Sequence, residues 1–480
     1  MSGDALTGLV MLGVMMVVVF AGFPVSFTLL FLALAFGALT LGARVLDLGY
    51  FQTLGLMRDE LLAAVPLFVF MGYVVQQAGL MERLFAALRL LMAPVRGSLF
   101  VVVILTSTAF AMATGIVGAA VPVLGLMAAP VMQKSGYDGR LGAGTIAAGG
   151  TLGILIPPSV MLLVLGPVIG VSVVDLYAAA FGAGFMLAGL YVAYVLWRCY
   201  RDPNLGPPLP RELWPTSVGV VARELLIGVV PLFVLIAATL GAILGGLATP
   251  TEASGLGAVG AVVLALACRR FSWSAFLRAA QQTLATTSMV LFLAVTSNVF
   301  GAVFARLGAA DWLTHSLVGL ALPTTLMLVL VVLCIFLLGW PFEWPAIVLV
   351  FVPIFYPVVA ALGIDMVWFG ALVAVTLQTA FLSPPVAMAG YYLRQVVQDW
   401  PLGMIFNGML QFMGVQVAAI TLLFVFPGIA TWLPDYLLRT GALVSSEALP
   451  GLQTHHDYGD SYPLMYERWL ERSGGEPADR

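Results

Sequence analysis

Long apolar stretches, separated by short polar segments, recur along almost the whole chain. A helix of about 20 apolar residues spans the roughly 30 Å hydrocarbon core of a bilayer. The chain is therefore expected to be an all-α polytopic membrane protein. Single helices are predicted over residues 6–22, 25–41, 61–79, 174–197, 225–244, 253–268, 283–304 and 402–426.

Two apolar stretches are too long for one span and have no polar loop at the midpoint. They cover residues 99–132 and 317–361, and each has Gly or Pro near its centre, in "ATGIVGA" and "LGWPFEWP". Two antiparallel half-helices that enter and leave the membrane on the same face fit this pattern. We expect each stretch to form a re-entrant helical hairpin.

Two further apolar stretches, residues 141–168 and 366–392, each contain a Pro–Pro pair. Proline lacks an N–H and clashes with the preceding turn, so the pair should break the helix. Broken backbone at membrane depth is tolerated only where protein or water satisfies the freed groups. A half-helix N-terminus then suits a carboxylate, and unwound carbonyls suit Na⁺. The alternative is that each pair is only a packed kink.

The two broken helices belong to an internal repeat with an offset of 227 residues. Gly136 matches Gly363, Asp138 matches Asp365, and the two Pro–Pro pairs match each other. An odd number of predicted crossings in the first half makes the second copy inverted, which is typical of secondary transporters. The predicted units are an inverted repeat at 1–197, a cytoplasmic linker at 198–223, a second repeat at 224–433 and a polar, poorly ordered tail at 434–480.

Charged residues make up only 9% of the chain, and their positions predict its orientation. Arginines and the only lysine, Lys134, flank the first hairpin and fill the linker, whereas residues 307–393 contain neither type. Positive charge marks the cytoplasmic side. Both termini are then expected on the external side. No phosphate-binding loop, basic patch or paired cysteine motif is present, so no nucleotide cofactor, nucleic acid or thiolate metal site is expected.

Candidate ligands for an ion and a solute lie at the hairpin tips and the helix breaks. In the first half they are Thr114 and Gly115 at the tip, and Thr151, Gly153, Ile156, Pro157, Pro158 and Ser159 at the break. In the second half they are Glu343 at the tip, and Gln378, Thr379, Ser383, Pro384 and Pro385 at the break. We expect Na⁺ near Thr114, Ile156, Glu343 and Ser383. Glu343 is alternatively a solvated carboxylate at a wet tip.

Glu252 is interpreted as structural. The run "TPTE" offers Thr249 as an N-cap, proline at the first helical position and Glu252 three residues after the cap. That spacing is a capping box. Arg394 could neutralise a substrate carboxylate, but it is interpreted as marking the cytoplasmic end of the second broken helix.

Five motifs, in order along the chain, resemble one transporter family. They are "GFPVSF" (22–27), "VPLFVFMG" (65–72), "GTLGILIPPS" (150–159), "GGLATPTEASGLGA" (245–258) and "FLSPPVAMAGYYLR" (381–394). The family is the large membrane subunit of tripartite ATP-independent periplasmic (TRAP) transporters. The resemblance implies a Na⁺-coupled elevator-type importer in a bacterial inner membrane, with Na⁺ as coupling ion and no enzymatic activity.

The resemblance also implies partners and leaves one alternative open. The partners are a small four-helix membrane subunit and a periplasmic solute-binding protein, which usually delivers an organic acid. Many relatives carry Ser-Gly-Ser-Ser at the first tip, where this chain has "TGIV" at 114–117, so fewer hydroxyls are available for Na⁺. A stand-alone Na⁺/carboxylate symporter of the same architecture is the alternative. A channel and an intramembrane enzyme fit less well, because no pore ring and no nucleophile or metal motif was found.

Overall fold

The computed structural model describes residues 3–115, 117–209, 214, 217–384 and 387–440, and every regular element in these ranges is helical. The first half contains α1 (Gly3–Phe20), α2 (Val25–Leu41), α3 (Arg44–Met57), α4 (Ala64–Gln77), α5 (Leu80–Met92), α6 (Ser98–Thr114), α7 (Val117–Lys134), α8 (Gly139–Thr151), α9 (Val160–Val168) and α10 (Val173–Arg201).

The second half contains twelve helices, two of which are single turns joined to a neighbour by a π-helical turn. They are α11 (Val218–Ile236), α12 (Ala242–Leu244), α13 (Pro250–Ala267), α14 (Trp273–Arg306), α15 (Ala309–Val318), α16 (Thr324–Leu338), α17 (Trp344–Ala346), α18 (Val352–Ala361), α19 (Met366–Leu377), α20 (Met388–Val396), α21 (Leu402–Val425) and α22 (Gly428–Arg439). The π-helical turns are Ala237–Gly241 and Ile347–Phe351.

Eight helical segments in the described ranges are long and apolar enough to cross a membrane, which confirms a polytopic membrane protein. Large apolar side chains cover their outer surfaces; Phe31 and Leu284 are both 69% exposed. Such exposure is unfavourable in water but not against lipid. The prediction of an all-α membrane fold is therefore confirmed.

Short amphipathic helices account for most differences from the predicted spans. The helices α3, α5, α15 and α22 were not predicted, because their charged positions interrupt the apolar pattern. As a result the second hairpin begins at Thr324 and not at residue 317. The linker is also shorter than predicted, since α10 continues to Arg201 and α11 begins at Val218. The helix α22 reaches Arg439, inside the predicted tail, and residues 441–480 lie outside the described ranges.

The same order of elements occurs in both halves. A long helix, a short amphipathic helix, a hairpin, a broken helix and a second long helix run from α4 to α10 and again from α14 to α21. Local geometry recurs at matching residues: Gly79 and Gly308 precede α5 and α15 with φ of +66° and +68°. Asp138 and Asp365 cap α8 and α19, and each carboxylate accepts a backbone N–H at 2.7 Å. The two halves thus repeat both the order of helices and the local backbone geometry, while the inversion of the second half stays a prediction.

The helices pack in two groups, which we call the peripheral group (α1–α5 and α11–α15) and the central group (α6–α10 and α16–α22). In the peripheral group α4 packs against α13 and α14, and α5 against α11. In the central group α8 packs along α21, and α10 along α19 and α22. A Cβ added at Gly408 would lie 2.0 Å from the Arg140 carbonyl oxygen, so α8 and α21 touch backbone to backbone. Small residues permit this approach between membrane helices.

Candidate functional site at the hairpin tips and helix breaks

The first helix break is fully buried and is held by its own serine. The helix α8 ends at Thr151, a 3₁₀ turn covers Leu152–Ile154, and α9 begins only at Val160. The Ser159 hydroxyl donates to the Ile154 carbonyl, and Ser159 Oγ accepts the Leu162 N–H at 3.5 Å. The Pro–Pro pair therefore separates two half-helices, as predicted, and Ser159 is the N-cap of the second.

The tip of the first hairpin lies directly against this break. Gly115 joins α6 to α7 in the left-handed region, with φ of +60°. A Cβ added there would lie 3.1 Å from the Pro158 carbonyl oxygen and 3.7 Å from that of Gly153. Two carbonyls of the break thus face the tip. The Thr114 side chain lies outside the described part of the structure, so its predicted ligand role is not tested.

The second break repeats this arrangement with different side chains. After α19 a 3₁₀ turn covers Gln378–Phe381, and α20 begins at Met388. The Ser383 hydroxyl donates to the Thr379 carbonyl at 2.5 Å, and the Thr379 hydroxyl donates to the Thr376 carbonyl at 2.6 Å. Pro384 follows, and Pro385 lies outside the described residues. Gly339, where the second tip begins, sits against Ala380, with its added Cβ 3.0 Å from the Ala380 Cβ.

One buried amide at the second break has no partner for its side chain. Gln378 is 0% exposed, and neither its Oε1 nor its Nε2 makes a hydrogen bond with any of the described residues. Its backbone carbonyl accepts the Gln416 Nε2 at 3.4 Å, and the same Nε2 donates to the Tyr191 hydroxyl at 2.9 Å. An unsatisfied buried polar group costs about 1–3 kcal/mol. Among the predicted ligands of the second half, Gln378 is thus a buried side chain whose polar atoms have no hydrogen-bond partner in the described part of the chain.

Glu343 is at the second tip as predicted, but its side chain is exposed. It is the N-cap residue of α17 and makes no side-chain capping bond, whereas its carbonyl accepts the Ala346 N–H at 3.1 Å. The predicted ligand role of Glu343 and its wet-tip alternative both stay predictions.

Each broken helix crosses to the hairpin of the other half. The helix α20 packs on α7: a Cβ at Gly118 would lie 3.7 Å from the Tyr392 hydroxyl, and one at Gly125 would lie 2.8 Å from Leu393 Cδ1. The helix α9 packs in turn on the Ile347–Phe351 turn of the second hairpin. The crossing brings both tips and both breaks into one cluster.

Several residues of this cluster were not predicted. The Tyr177 hydroxyl donates to the Ser159 carbonyl at 3.3 Å, and Tyr191 and Gln416 support the second break. Tyr392 packs against Gly118 of the first hairpin. Each of these residues is a polar residue inside an apolar span. That feature could have identified them in the sequence, whereas the Pro–Pro pattern does not. Ile156 faces away from the break, since its side chain packs on Gly184, so only its carbonyl could bind Na⁺.

An all-helical membrane fold with two hairpins and two broken helices is typical of secondary transporters. The family model described as "Tripartite ATP-independent periplasmic transporter, DctM component" matches residues 12–429. The chain therefore belongs to this family of TRAP large permease subunits, as its motifs predicted. Because these proteins are transporter permeases, the expectation that the chain is not an enzyme is also confirmed.

Two curated relatives and one solved structure are similar over most of the chain. The sialic acid TRAP transporter large permease protein SiaM of Vibrio cholerae is 30% identical over 88% of this chain and 97% of its own length. The C4-dicarboxylate TRAP transporter large permease protein DctM of Pseudomonas aeruginosa is 29% identical over 84% and 93%. The Alcanivorax borkumensis YdaH transporter has a TM-score of 0.59 at 18% identity, over 88% of this chain and 98% of its own, which supports the fold alone.

Proposed function

We propose that this subunit imports an organic acid or a related small solute across the bacterial inner membrane, driven by an inward Na⁺ gradient. The observation that carries the proposal is the contact of each hairpin tip with the helix break of its own half: Gly115 with Gly153 and Pro158, and Gly339 with Ala380. Backbone carbonyls are hard oxygen ligands of the kind that Na⁺ prefers. Na⁺ binding at these junctions would couple ion and solute.

The donor set at the two junctions suits Na⁺ in different ways. At the first, the carbonyls of Gly153 and Pro158 face the tip, so backbone oxygens compensate for the hydroxyls that "TGIV" lacks. At the second, Gln378 offers a buried Oε1 without a partner. The Ser383 hydroxyl donates its hydrogen bond to the Thr379 carbonyl, so the lone pairs of the hydroxyl oxygen remain available to a cation. These contacts support one ion at each junction.

The packing also supports an elevator mechanism, in which the central group moves as a body against the peripheral group. The tips, the breaks and the backbone contact between Gly408 and Arg140 all lie within the central group. The solute would bind beside the tips, where Tyr392 of α20 packs against the first hairpin. Movement of the group would carry ions and solute together.

The partners proposed are a small four-helix membrane subunit and a periplasmic solute-binding protein, and both termini are proposed to be periplasmic. Two relatives are named as large permease proteins of TRAP transporters for sialic acid and for C4-dicarboxylates, which supports an acidic solute. The stand-alone Na⁺/carboxylate symporter is the alternative that the experiment below separates.

The test is uptake into proteoliposomes. A ligand screen on the proposed partner binding protein identifies the solute, and uptake is then measured with external Na⁺ or K⁺ at equal membrane potential and pH. We expect uptake only with Na⁺ and only with the binding protein. Equal uptake in K⁺ would refute Na⁺ coupling, and uptake without the binding protein would establish the stand-alone symporter.

A further inference from the structure

A polar cavity of about 550 Å³ lies at the end of α4, apart from the tips and breaks. Both groups of helices line it: α4, α5 and α11 belong to the peripheral group, and Val123 on α7 belongs to the central group. Its charged and amide-bearing side chains are Gln76, Gln77, Glu82, Arg83, Glu224 and Arg270. We call this cavity the arginine vestibule.

The polar groups of the arginine vestibule have few partners in the described part of the chain. No ion pair joins Arg83 or Arg270 to Glu82 or Glu224, although all four line the same space. The Oε1 of Gln76 is buried and also lacks a hydrogen bond. Two guanidinium groups that line one cavity and have no ion-pair partner among the described residues can bind a carboxylate group of a ligand. The two glutamates bring the net charge of the lining to zero.

The helix α4, which packs against α6 and α9 of the central group, carries a polar stripe beside the arginine vestibule. Tyr73 lies one helical turn before Gln76 and Gln77, so the three share a face of α4. The Tyr73 hydroxyl pairs with the Thr286 hydroxyl of α14 at 2.9 Å. Polar side chains on this face of α4 thus run from Tyr73 to the vestibule.

We propose that the arginine vestibule is a second, transient binding site for the solute's carboxylate, with Arg83 and Arg270 as its donors, on the route to the cytoplasm. The proposal rests on the proposed function, which assigns an acidic solute. Arginine presents a planar fork of N–H groups that matches a carboxylate. Glu82 and Glu224 weaken the site, and a transit site must bind weakly enough to release.

Thiol labelling tests the site without any transport measurement. In the full chain with Cys199, Cys268 and Cys334 replaced by Ala, Gln77→Cys is labelled by an anionic sulfonatoethyl methanethiosulfonate and by uncharged methyl methanethiosulfonate. The ratio of the two rates reports local positive potential. We expect Arg83→Gln and Arg270→Gln each to lower this ratio about threefold, because one nearby charge is lost in a partly screened site. Arg278→Gln, outside the vestibule, is the matched control and should leave it unchanged.

Competition with a carboxylate distinguishes binding of that carboxylate in the vestibule from a general effect of positive electrostatic potential. We expect 20 mM succinate, compared with chloride at equal ionic strength, to slow labelling by the uncharged reagent in the parent and not in the Arg83→Gln/Arg270→Gln double variant. Equal ratios in all variants, or equal protection in parent and double variant, would overturn the proposal. Labelling needs neither Na⁺ nor the binding protein, so failed Na⁺-driven uptake with intact protection would refute the proposed coupling and not the vestibule.

Discussion

Replacement of Gly115 by Ala is a direct test of the junction between the first tip and the first break. Two effects are expected. Alanine in the left-handed conformation at φ +60° costs about 1–2 kcal/mol. In addition, the methyl group would lie 3.1 Å from the Pro158 carbonyl oxygen, so the tip or the carbonyl must shift by a few tenths of an ångström. Only the second effect acts on the proposed Na⁺ site.

A matched control separates the two effects. Gly136 also has a positive φ, +74°, but an added Cβ there meets nothing within 4 Å. Gly136→Ala therefore carries the backbone strain without the contact at the break. In Gly115→Ala the added methyl group overpacks the junction, which costs about 1 kcal/mol or more. If the Na⁺-bound state carries this cost, Na⁺ binds about fivefold more weakly.

The assay is the melting temperature of the purified chain as a function of Na⁺ concentration, with K⁺ as the balancing cation. Both variants should melt lower than the parent at saturating Na⁺. Only Gly115→Ala should require about fivefold more Na⁺ for half of the stabilisation. If the two variants show the same Na⁺ dependence as the parent, the first tip does not form part of an ion site and the reasoning is wrong.

Three further changes test other parts of the account. Gln378→Leu removes a buried amide without partners, so the melting temperature in K⁺ should rise while the stabilisation by Na⁺ falls; a lower melting temperature in K⁺ would show that water or protein satisfies the amide. Pro157–Pro158 changed to Ala–Ala should let the helix continue, so the protein folds but Na⁺-dependent uptake is lost; unchanged Na⁺ dependence would make the pair a packed kink. Gly408→Ala places a methyl group 2.0 Å from a carbonyl oxygen of α8 and should lower the melting temperature strongly. Gly414→Ala on the same helix is the control, because its added Cβ meets nothing within 4 Å, and it should lower the melting temperature little. Equal effects would contradict the close contact of α8 and α21.

The sequence was most informative where backbone chemistry is unusual. The Pro–Pro pair at Pro157 and Pro158 predicted the first break, and the motif around Gly115 predicted a hairpin tip, because proline and glycine restrict the backbone in ways that hold in any surroundings. The capping box at Thr249 is present as predicted, with the Thr249 N–H donating to Glu252 Oε2 at 2.8 Å. Such local signals need no knowledge of the tertiary fold.

The sequence was least informative about contacts that cross between the halves. Nothing in the spacing of Tyr392 indicates that α20 packs on the first hairpin, because that contact depends on how two distant segments meet. Gln416 and Tyr191 appeared as isolated polar residues in apolar spans, yet they support the second break. The amphipathic helix α5 was missed because Glu82, Arg83 and Arg89 end the apolar run that a membrane-span pattern requires.

The most direct measurement of the central claim is the simultaneous uptake of ²²Na⁺ and of the radiolabelled solute that the binding protein retains. Proteoliposomes would contain this chain with its small membrane subunit, and both labels would be followed in one preparation. We expect the two labels to enter together in a fixed ratio that does not change with the solute gradient. Solute uptake without any movement of ²²Na⁺ would contradict it.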